Sequence, residues 1–316
     1  MTHVATLVCD PAFPVLTEGM LRRASEALRR PRPLNWLDPC IAADIAFEPG
    51  SAARVSAVAE RVRSALDNAA VDIIVQRAQG RRKKLLLADM DSTMIGQECI
   101  DELAAEIGKR ADVAAITERA MRGEIAFEPA LRERTALLKG LDRAIILDVI
   151  ANRITLTPGG RVLVQTMRAN GAHTVLVSGG FSVFTSVIAK RIGFHEHQAN
   201  KLLFGEDSRL SGLVAEPVLG KVAKLSALTR LRDKLGLSAE ETLAVGDGAN
   251  DLAMLEAAGL GVAFHAKPKV AAAAHARIDH GDLTALLYAQ GYRREDFLIT
   301  PFQQLGEARG AAGKPP

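Results

Sequence analysis

Hydrophobic positions over the first 80 residues alternate between strand-like and helix-like spacing. Short apolar runs typical of strands occur at residues 4–9, 41–47 and 71–75. Apolar residues recur with helical spacing at 18–29 and 52–66. This order predicts a small β-α-β-β-α-β unit in which one strand is not visible in the sequence.

From Leu85 onward, short apolar strands alternate with helical stretches. This alternation predicts an α/β fold with a Rossmann-like parallel sheet that helices cover on both faces. The predicted strands are 85–88, 174–177, 242–245 and 261–264. Three of them end directly at a polar functional group, and ligands of open α/β sheets bind beyond the carboxyl ends of the strands.

The stretch between Asp89 and Ser178 is longer than one crossover requires. These residues are 89 positions apart, whereas a β-α-β unit takes about 30 residues. The surplus, at about 97–153, has a helical pattern and predicts a cap inserted over the strand ends. Residues 200–214 predict a β-hairpin outside the main sheet.

The expected organisation is therefore a small α+β domain at 1–80 and a larger core at 81–300 that contains the cap. The Gly-, Ala- and Pro-rich end, 301–316, is expected to be a flexible tail.

Composition narrows the functional classes. Of the 316 residues, 48% are hydrophobic and 24% are charged, and the net charge is +3. This small excess gives no reason to expect nucleic acid or membrane as a partner. The one basic run, 81–84, is interpreted as a solvated linker.

Cysteine content and the N-terminal sequence bear on the cellular compartment. Cys9, Cys40 and Cys99 are odd in number and lack zinc-site spacing, so neither a disulfide framework nor a zinc site is expected. The first residues lack the pattern of a signal peptide, and no apolar run is long enough to span a bilayer. A cytoplasmic protein is the expectation.

Two acids, Asp89 and Asp91, follow the apolar run 85–88. Buried acids are costly unless a cation or a reaction uses them. A calcium loop starting at Asp89 is excluded, because Met94 stands where glycine is needed and Ile100 where a bidentate glutamate is needed. Capping of a helix N-terminus would explain the two acids in isolation, but not the further motifs at later strand ends.

A second acidic motif, 246–251, follows the predicted strand 242–245. Asp247 and Asp251 are four residues apart, so both can approach one magnesium ion. The motif does not complete a dinucleotide fingerprint, since Asp251 occupies its sixth position. Gly220-Lys221 lacks the earlier glycine of a P-loop, so kinase chemistry of that class is unsupported.

Together these motifs supply the groups that phosphoryl transfer needs. Asp89 and Asp91 offer a nucleophile and a proton donor. Ser178, followed by two glycines, offers a hydroxyl and backbone amides for phosphate oxygens. Lys224 and a magnesium ion would screen the repulsion between an anionic nucleophile and an anionic phosphate.

In this order the motifs DMDST, SGG, a lysine and GDGAND resemble the haloacid dehalogenase superfamily of aspartate-nucleophile phosphatases. Within it, the chain is most similar to the phosphoserine phosphatases. The closer likeness rests on Glu98 and on the stretches 120–127, 131–134, 177–181 and 265–268. The resemblance covers about residues 84–290.

The resemblance implies a role for each matching residue. Asp89 is implied as the nucleophile and Asp91 as the general acid and base. The implied magnesium ligands are Asp89, Asp91 through its carbonyl, Asp247 and, in support, Asp251. The implied substrate-binding residues are Glu98, Phe127, Arg134, Ser178, Gly179, Lys224 and Asn250. Among the substrate-binding residues, Glu98 would pair with an ammonium group and Arg134 with a carboxylate. His195 and His197 are expected to be surface residues.

The implied activity is hydrolysis of O-phospho-L-serine to L-serine and phosphate through an aspartyl phosphate, the last step of serine biosynthesis. A relative acting on another small phosphomonoester and a non-catalytic amino-acid sensor are the alternatives. Some members of the family carry an ACT-like, ferredoxin-like domain before the core. The resemblance at 1–80 is one of architecture, so ligand sensing, homodimer formation and a purely structural role all remain open there.

Overall fold

The computed structural model describes residues 2–50, 54–122 and 124–299, with the backbone alone at Met121 and Lys221. The predicted tail, 301–316, lies outside the described residues. No helix in these ranges is both long and apolar enough to cross a membrane.

The N-terminal elements have the predicted β-α-β-β-α-β order. They are β1 (His3–Val8), α1 (Glu18–Glu26), β2 (Asn35–Asp38), β3 (Ala42–Phe47), α2 (Val55–Ala65) and β4 (Asp72–Arg77). The strands form an antiparallel sheet in the order β2-β3-β1-β4. The strand that the sequence did not resolve is β2, which is four residues long and follows a proline-rich loop. Helix α1 begins where Thr17 accepts the Met20 N–H and ends at Glu26, three residues before the predicted end.

The remaining elements build a second sheet and the helices around it. They are β5 (Leu85–Ala88), α3 (Cys99–Glu106), α4 (Arg110–Met121), α5 (Phe127–Leu137), α6 (Arg143–Asn152), α7 (Gly160–Ala169), β6 (His173–Phe181), α8 (Ser182–Ile192), β7 (Glu196–Asn200), β8 (Leu202–Phe204), β9 (Leu210–Val214), α9 (Lys221–Lys234), β10 (Thr242–Gly246), α10 (Leu252–Ala257), β11 (Leu260–Phe264), α11 (Pro268–Ala273), β12 (Ala276–Ile278) and α12 (Ala285–Ala289).

This second sheet is parallel, with the strand order β12-β11-β10-β5-β6-β7. The four predicted strands are its four central members. Sequence patterns missed the two edges, because β7 is mostly polar and β12 has only three residues.

Both faces of the parallel sheet are covered, as β5 shows. Its alternate residues Leu86 and Ala88 join one apolar cluster, whereas Leu85 and Leu87 join another on the opposite face. All four are fully buried. An unbroken apolar strand is therefore stable here, since side chains pointing either way leave water.

Between β5 and α7, the described part of the chain forms the helices α3 to α6. The predicted hairpin is also present: β8 and β9 pair antiparallel outside the main sheet. Strand β9 packs against α5, and the Gly140 N–H after that helix donates to the Leu210 carbonyl at 2.8 Å. The hairpin thus connects the end of β7 to the helix that begins at Phe127.

Buried polar contacts join the N-terminal unit to the parallel-sheet unit. The Asp72 carboxylate accepts the backbone N–H groups of Asp279 and Gly281, each at 2.7 Å. The Tyr288 hydroxyl donates to Asp38 Oδ2 at 2.6 Å. These contacts satisfy buried polar groups that would otherwise be costly.

The interpretation of residues 81–84 as a solvated linker is wrong for two of its members. The Lys83 side chain is buried, and its ammonium donates to the Glu240 carbonyl at 2.7 Å. Arg81 pairs with the buried Asp44 at 2.6 Å. Arg82 and Lys84 are exposed. The segment therefore helps to fix the connection between the two units.

Candidate active site

Asp89 lies directly after β5, at the carboxyl end of the central strand of the parallel sheet. The following residues, Met90–Met94, form one tight turn in which Ser92 has a φ of 55°. Asp89 Oδ1 accepts the Met90 N–H at 2.8 Å, and the residue is buried. Asp89 therefore lies at the carboxyl ends of the strands, where ligands of open α/β sheets bind.

Lys224, on the first turn of α9, reaches this strand end. Its ammonium lies 2.7 Å from Asp89 Oδ1 and 2.6 Å from Asp251 Oδ1, and all three side chains are buried. Burial alone would lower the pKa of Lys224, but the charges of Asp89 and Asp251 outweigh it and raise the pKa above its usual value. The lysine is therefore a fixed positive charge in the site.

Three carboxylates converge around this lysine. Asp89, Asp247 and Asp251 each offer an oxygen, and these oxygens lie within 4.8 Å of one another. Burial and the Asp251 charge raise the pKa of Asp89 well above its usual range, and the same two causes raise that of Asp247 to about 6. The negative charge of three carboxylates exceeds the one positive charge of the ammonium, so a further cation would stabilise the site.

The donor set fits a hard divalent cation. Carboxylate oxygens are the ligands that magnesium prefers in proteins, and among the described residues this is the one group of three or more His, Cys, Asp or Glu side chains positioned to hold a metal. As expected, His195 and His197 are exposed. The Asp91 side chain is not part of this cluster; the ligand predicted from this residue is its backbone carbonyl.

Local backbone geometry places the second acidic motif. A Cβ atom on Gly246 would lie 2.4 Å from Asp251 Cγ, so only glycine lets the Asp251 carboxylate lie against the strand end. Asp251 Oδ2 accepts the Gly248 N–H at 3.0 Å. Thr93, from the turn after β5, donates its hydroxyl to Asp247 Oδ1 at 3.1 Å. The two acidic motifs are thus held against each other.

Asp91 has different partners from Asp89. Its Oδ1 accepts the Cys99 N–H at 3.0 Å, and its Oδ2 accepts the Ser178 hydroxyl at 3.2 Å. Burial raises the pKa of Asp91, and these hydrogen bonds oppose part of the rise. A carboxyl that holds a proton more readily than usual can act as a general acid.

Ser178 and Gly179 lie at the irregular end of β6, where the pairing with β7 is interrupted between Val177 and Phe181. The predicted strand end at 177 is thus extended to Phe181. Ser178 Oγ also accepts the Gly180 N–H at 2.8 Å. This interruption leaves backbone amides near the strand end free of the sheet ladder, where they can serve a ligand.

Phe127 and Asn250 border the same glycine. A Cβ atom on Gly179 would lie 3.3 Å from the Phe127 ring and 3.9 Å from Asn250 Nδ2, and one on Gly220 would lie 3.5 Å from the Phe127 ring. The first residue of α5 therefore lies over the carboxyl end of β6 and over the start of α9. Helix α5 thus covers one side of the site.

Glu98, directly before α3, and Arg134 of α5 bring charged groups to the site. The Ser92 hydroxyl donates to Glu98 Oε1 at 2.7 Å. Desolvation in the cleft and the Asp91 charge raise the pKa of Glu98 to about 7, although water at this exposed residue screens part of the effect. Burial lowers the pKa of Arg134, while the charges of Glu98 and Asp101 oppose the decrease. The two predicted recognition residues thus interact electrostatically in the same cleft.

The structure adds residues that sequence reasoning did not select. The Cys99 N–H and the Thr93 hydroxyl donate to Asp91 and Asp247, and the Asn200 side chain donates to the Gly179 carbonyl. Thr93 lies within the DMDST motif, so the motif itself could have indicated that this residue lies in the site. Asn200 is 21 positions from Gly179, and no pattern along the chain links the two.

Comparisons with known proteins find similarity over the part of the chain that forms this site. The family model described as haloacid dehalogenase-like hydrolase matches residues 86–256. A probable phosphoserine phosphatase from Schizosaccharomyces pombe is 43% identical over 229 residues, covering 72% of this chain and 76% of the relative.

Two solved structures are also similar. One, a phospho-aspartyl intermediate analogue of phosphoserine phosphatase, has a TM-score of 0.61 and 39% identity, and the match covers 66% of this chain and 98% of the other. A probable phosphoserine phosphatase from Vibrio cholerae has a TM-score of 0.70 and 30% identity, covering 92% of this chain and 87% of the other.

Proposed function

We propose, since the chain belongs to the haloacid dehalogenase-like hydrolase family, that this phosphatase hydrolyses O-phospho-L-serine to L-serine and phosphate in the last step of serine biosynthesis. The observation that carries the proposal is the convergence of Asp89, Asp247 and Asp251 on the buried Lys224, beside Asp91 and Ser178. Relatives named phosphoserine phosphatase support the choice of substrate.

Magnesium is the proposed metal. The carboxylates of Asp89, Asp247 and Asp251, with the backbone carbonyl of Asp91, would hold it. When bound, the ion neutralises charge on the phosphoryl group and on the attacking carboxylate. Lys224 adds a second, permanent positive charge.

The first chemical step uses Asp89 and Asp91. A carboxylate oxygen of Asp89 forms a bond to phosphorus, and the bond between phosphorus and the serine oxygen breaks. Asp91, in its protonated form, gives its proton to that oxygen so that neutral serine leaves. The raised pKa of Asp91 supports this assignment.

The second step reverses the role of Asp91. Its carboxylate takes a proton from water as the water oxygen bonds to phosphorus. The bond between phosphorus and Asp89 then breaks, which frees phosphate and the Asp89 carboxylate. The same residue thus serves as acid and then as base.

Other residues would bind the substrate. The Ser178 hydroxyl, the Gly179 amide and Lys224 would contact the phosphoryl oxygens. Asn250, whose Nδ2 borders Gly179, would bind the substrate beside them. Glu98 would accept hydrogen bonds from the substrate ammonium, and Arg134 would donate to the substrate carboxylate. Phe127 would cover the part of the substrate that lies between these two charges. A phosphate ester without these two charges would lose both ion pairs.

The domain organisation is part of the proposal. Residues 81–300 would form the catalytic core with a helical cap at about 97–153, and residues 1–80 an ACT-like, ferredoxin-like domain. The strand order β2-β3-β1-β4 supports the latter. A cytoplasmic location and a homodimer are the corresponding proposals for the whole protein.

Phosphate release from O-phospho-L-serine tests the function. Initial rates are measured with Mg²⁺, with EDTA, and with other small phosphomonoesters at equal concentration. We expect rapid release that requires the metal and favours phosphoserine. Asp89→Asn should abolish release, whereas Asp112→Asn, which alters an exposed residue of α4, should not.

Each other outcome has a defined meaning. Metal-dependent release that favours another ester would retain the chemistry and refute the roles of Glu98 and Arg134. No release from any ester would refute the phosphatase proposal and favour an amino-acid sensor.

A further inference from the structure

Asn200, the last residue of β7, has a fully satisfied buried side chain. Its Nδ2 donates to the Gly179 carbonyl at 2.9 Å and to the Leu219 carbonyl at 3.2 Å, and its Oδ1 accepts the Leu219 N–H at 2.7 Å. The residue is 2% exposed. Both amide hydrogens and the amide oxygen are therefore used, which only an asparagine of this length can do here.

These bonds join two segments that would bind phosphoryl oxygens. Gly179 follows Ser178 at the irregular end of β6. Leu219 directly precedes Gly220, the residue before α9, and Lys224 lies on the first turn of that helix. Neither segment is fixed to the other by the parallel sheet, so the Asn200 amide supplies a direct link.

The same residue also stands at the base of the hairpin. Strand β8 begins two residues later, and β9 packs against α5, whose first residue is Phe127. Beyond the hairpin, Glu216 forms an ion pair with Arg132 of α5. Asn200 thus lies where the carboxyl end of β6, the hairpin that packs on α5, and the segment before α9 come together.

We infer that Asn200 is a positioning residue for phosphoryl binding, an inference that rests on the proposed phosphatase function. Its amide sets the distance between the Gly179 amide and the Lys224 ammonium without touching the substrate. A phosphoryl group requires both donors at once, so loss of the link would weaken phosphate binding more than it would alter the fold.

Asn200→Asp keeps the shape while an oxygen replaces both N–H donors, but it also adds a negative charge that repels phosphate, so the neutral Asn200→Ser decides the comparison. The probe is inorganic phosphate, titrated calorimetrically into the full chain with Mg²⁺ present. We expect affinity for phosphate to fall about tenfold or more. Asn200→Ser, which is neutral and too short to reach both segments, should show the same direction and provides a measurement if the aspartate variant does not fold.

Thr242→Val is the matched control. Thr242 is equally buried and links two backbone groups, since its hydroxyl donates to the Ala239 carbonyl at 2.7 Å and accepts the Gly259 N–H at 3.0 Å. It lies at the opposite end of β10 from Asp247. This variant should lower the melting temperature and leave phosphate affinity unchanged.

The two hypotheses fail in different ways. Phosphate affinity that stays at the wild-type value in folded Asn200 variants would overturn the positioning role, as would an equal loss in Thr242→Val. Phosphate binding does not depend on which ester is the substrate. A wild-type protein inactive on phosphoserine would therefore refute the substrate assignment, whereas the Asn200 result would still decide the positioning role.

Discussion

The Lys224 ammonium lies 2.7 Å from the Asp89 carboxylate, and both groups are buried at the end of the central strand. The same nitrogen lies 2.6 Å from Asp251. A single lysine therefore pairs with two carboxylates in a region from which water is largely excluded. Its removal should affect both the chemistry and the stability of the fold.

Lys224→Met should reduce kcat by about 100-fold or more, because a charge that stabilises the transferring phosphoryl group is lost. It should also lower the free energy of unfolding by about 3 kcal/mol, since Asp89 and Asp251 lose their partner. Rates per folded molecule and urea unfolding measure the two effects. Lys83→Met is the control: Lys83 is buried but bonds to backbone carbonyls, so stability should fall while kcat stays. An equal loss of kcat in both variants would contradict the specific role of Lys224.

Magnesium should stabilise the folded protein through the acidic cluster. At a concentration 100 times its Kd, a ligand of the folded state adds about 2.7 kcal/mol to the free energy of unfolding. We expect a matching rise in melting temperature with Mg²⁺ and its reversal by EDTA. Asp247→Asn should remove most of the rise. A full rise in that variant would place the ion elsewhere.

Thr93→Val should weaken metal binding without changing the intrinsic rate. The substitution keeps the shape but removes the hydrogen bond to Asp247, so this carboxylate is less well held. The Mg²⁺ concentration for half-maximal activity should rise about tenfold, while kcat at saturating Mg²⁺ should be retained. Thr166→Val, which removes a buried hydroxyl that accepts the Leu298 N–H, should leave the magnesium dependence unchanged. A lower kcat at saturation would point to a role in the chemical step.

Gly246→Ala should displace Asp251, because the added methyl group would lie 2.4 Å from its Cγ. Overpacking of this kind costs about 1–3 kcal/mol, and the Mg²⁺-dependent rise in melting temperature should shrink. In Gly19→Ala the methyl would lie 3.8 Å from its nearest neighbour, Thr17 Oγ1, so stability should not fall. Normal magnesium binding in Gly246→Ala would show that Asp251 can move without loss of the site.

The sequence predicted the centre of the parallel sheet and its chemistry because both are local properties. An apolar run such as Leu85–Ala88 specifies a buried strand, and a polar group that follows it must lie at the carboxyl end of that strand. The edge strand β7 follows no such rule, since one side has no neighbouring strand and polar residues are tolerated.

Contacts between distant segments were not predictable in the same way. Lys83 belongs to a basic run of the kind that is usually exposed, yet its buried ammonium donates a hydrogen bond to the Glu240 carbonyl, 157 positions away. The amide of Asn200 likewise gains its importance only when β6 and the approach to α9 are brought together. Such roles depend on tertiary packing, which a pattern along one chain does not encode.

The buried polar seam at Asp72 and Tyr288 bears on how chains of this kind can be shortened. A protein beginning near residue 81 would lose the acceptors for the N–H groups of Asp279 and Gly281 and for the Tyr288 hydroxyl, and would expose the apolar surface of α12. Deletion of the first unit, in the laboratory or over evolution, therefore requires compensating substitutions on the remaining surface. The seam thus couples the stability of the second unit to the presence of the first.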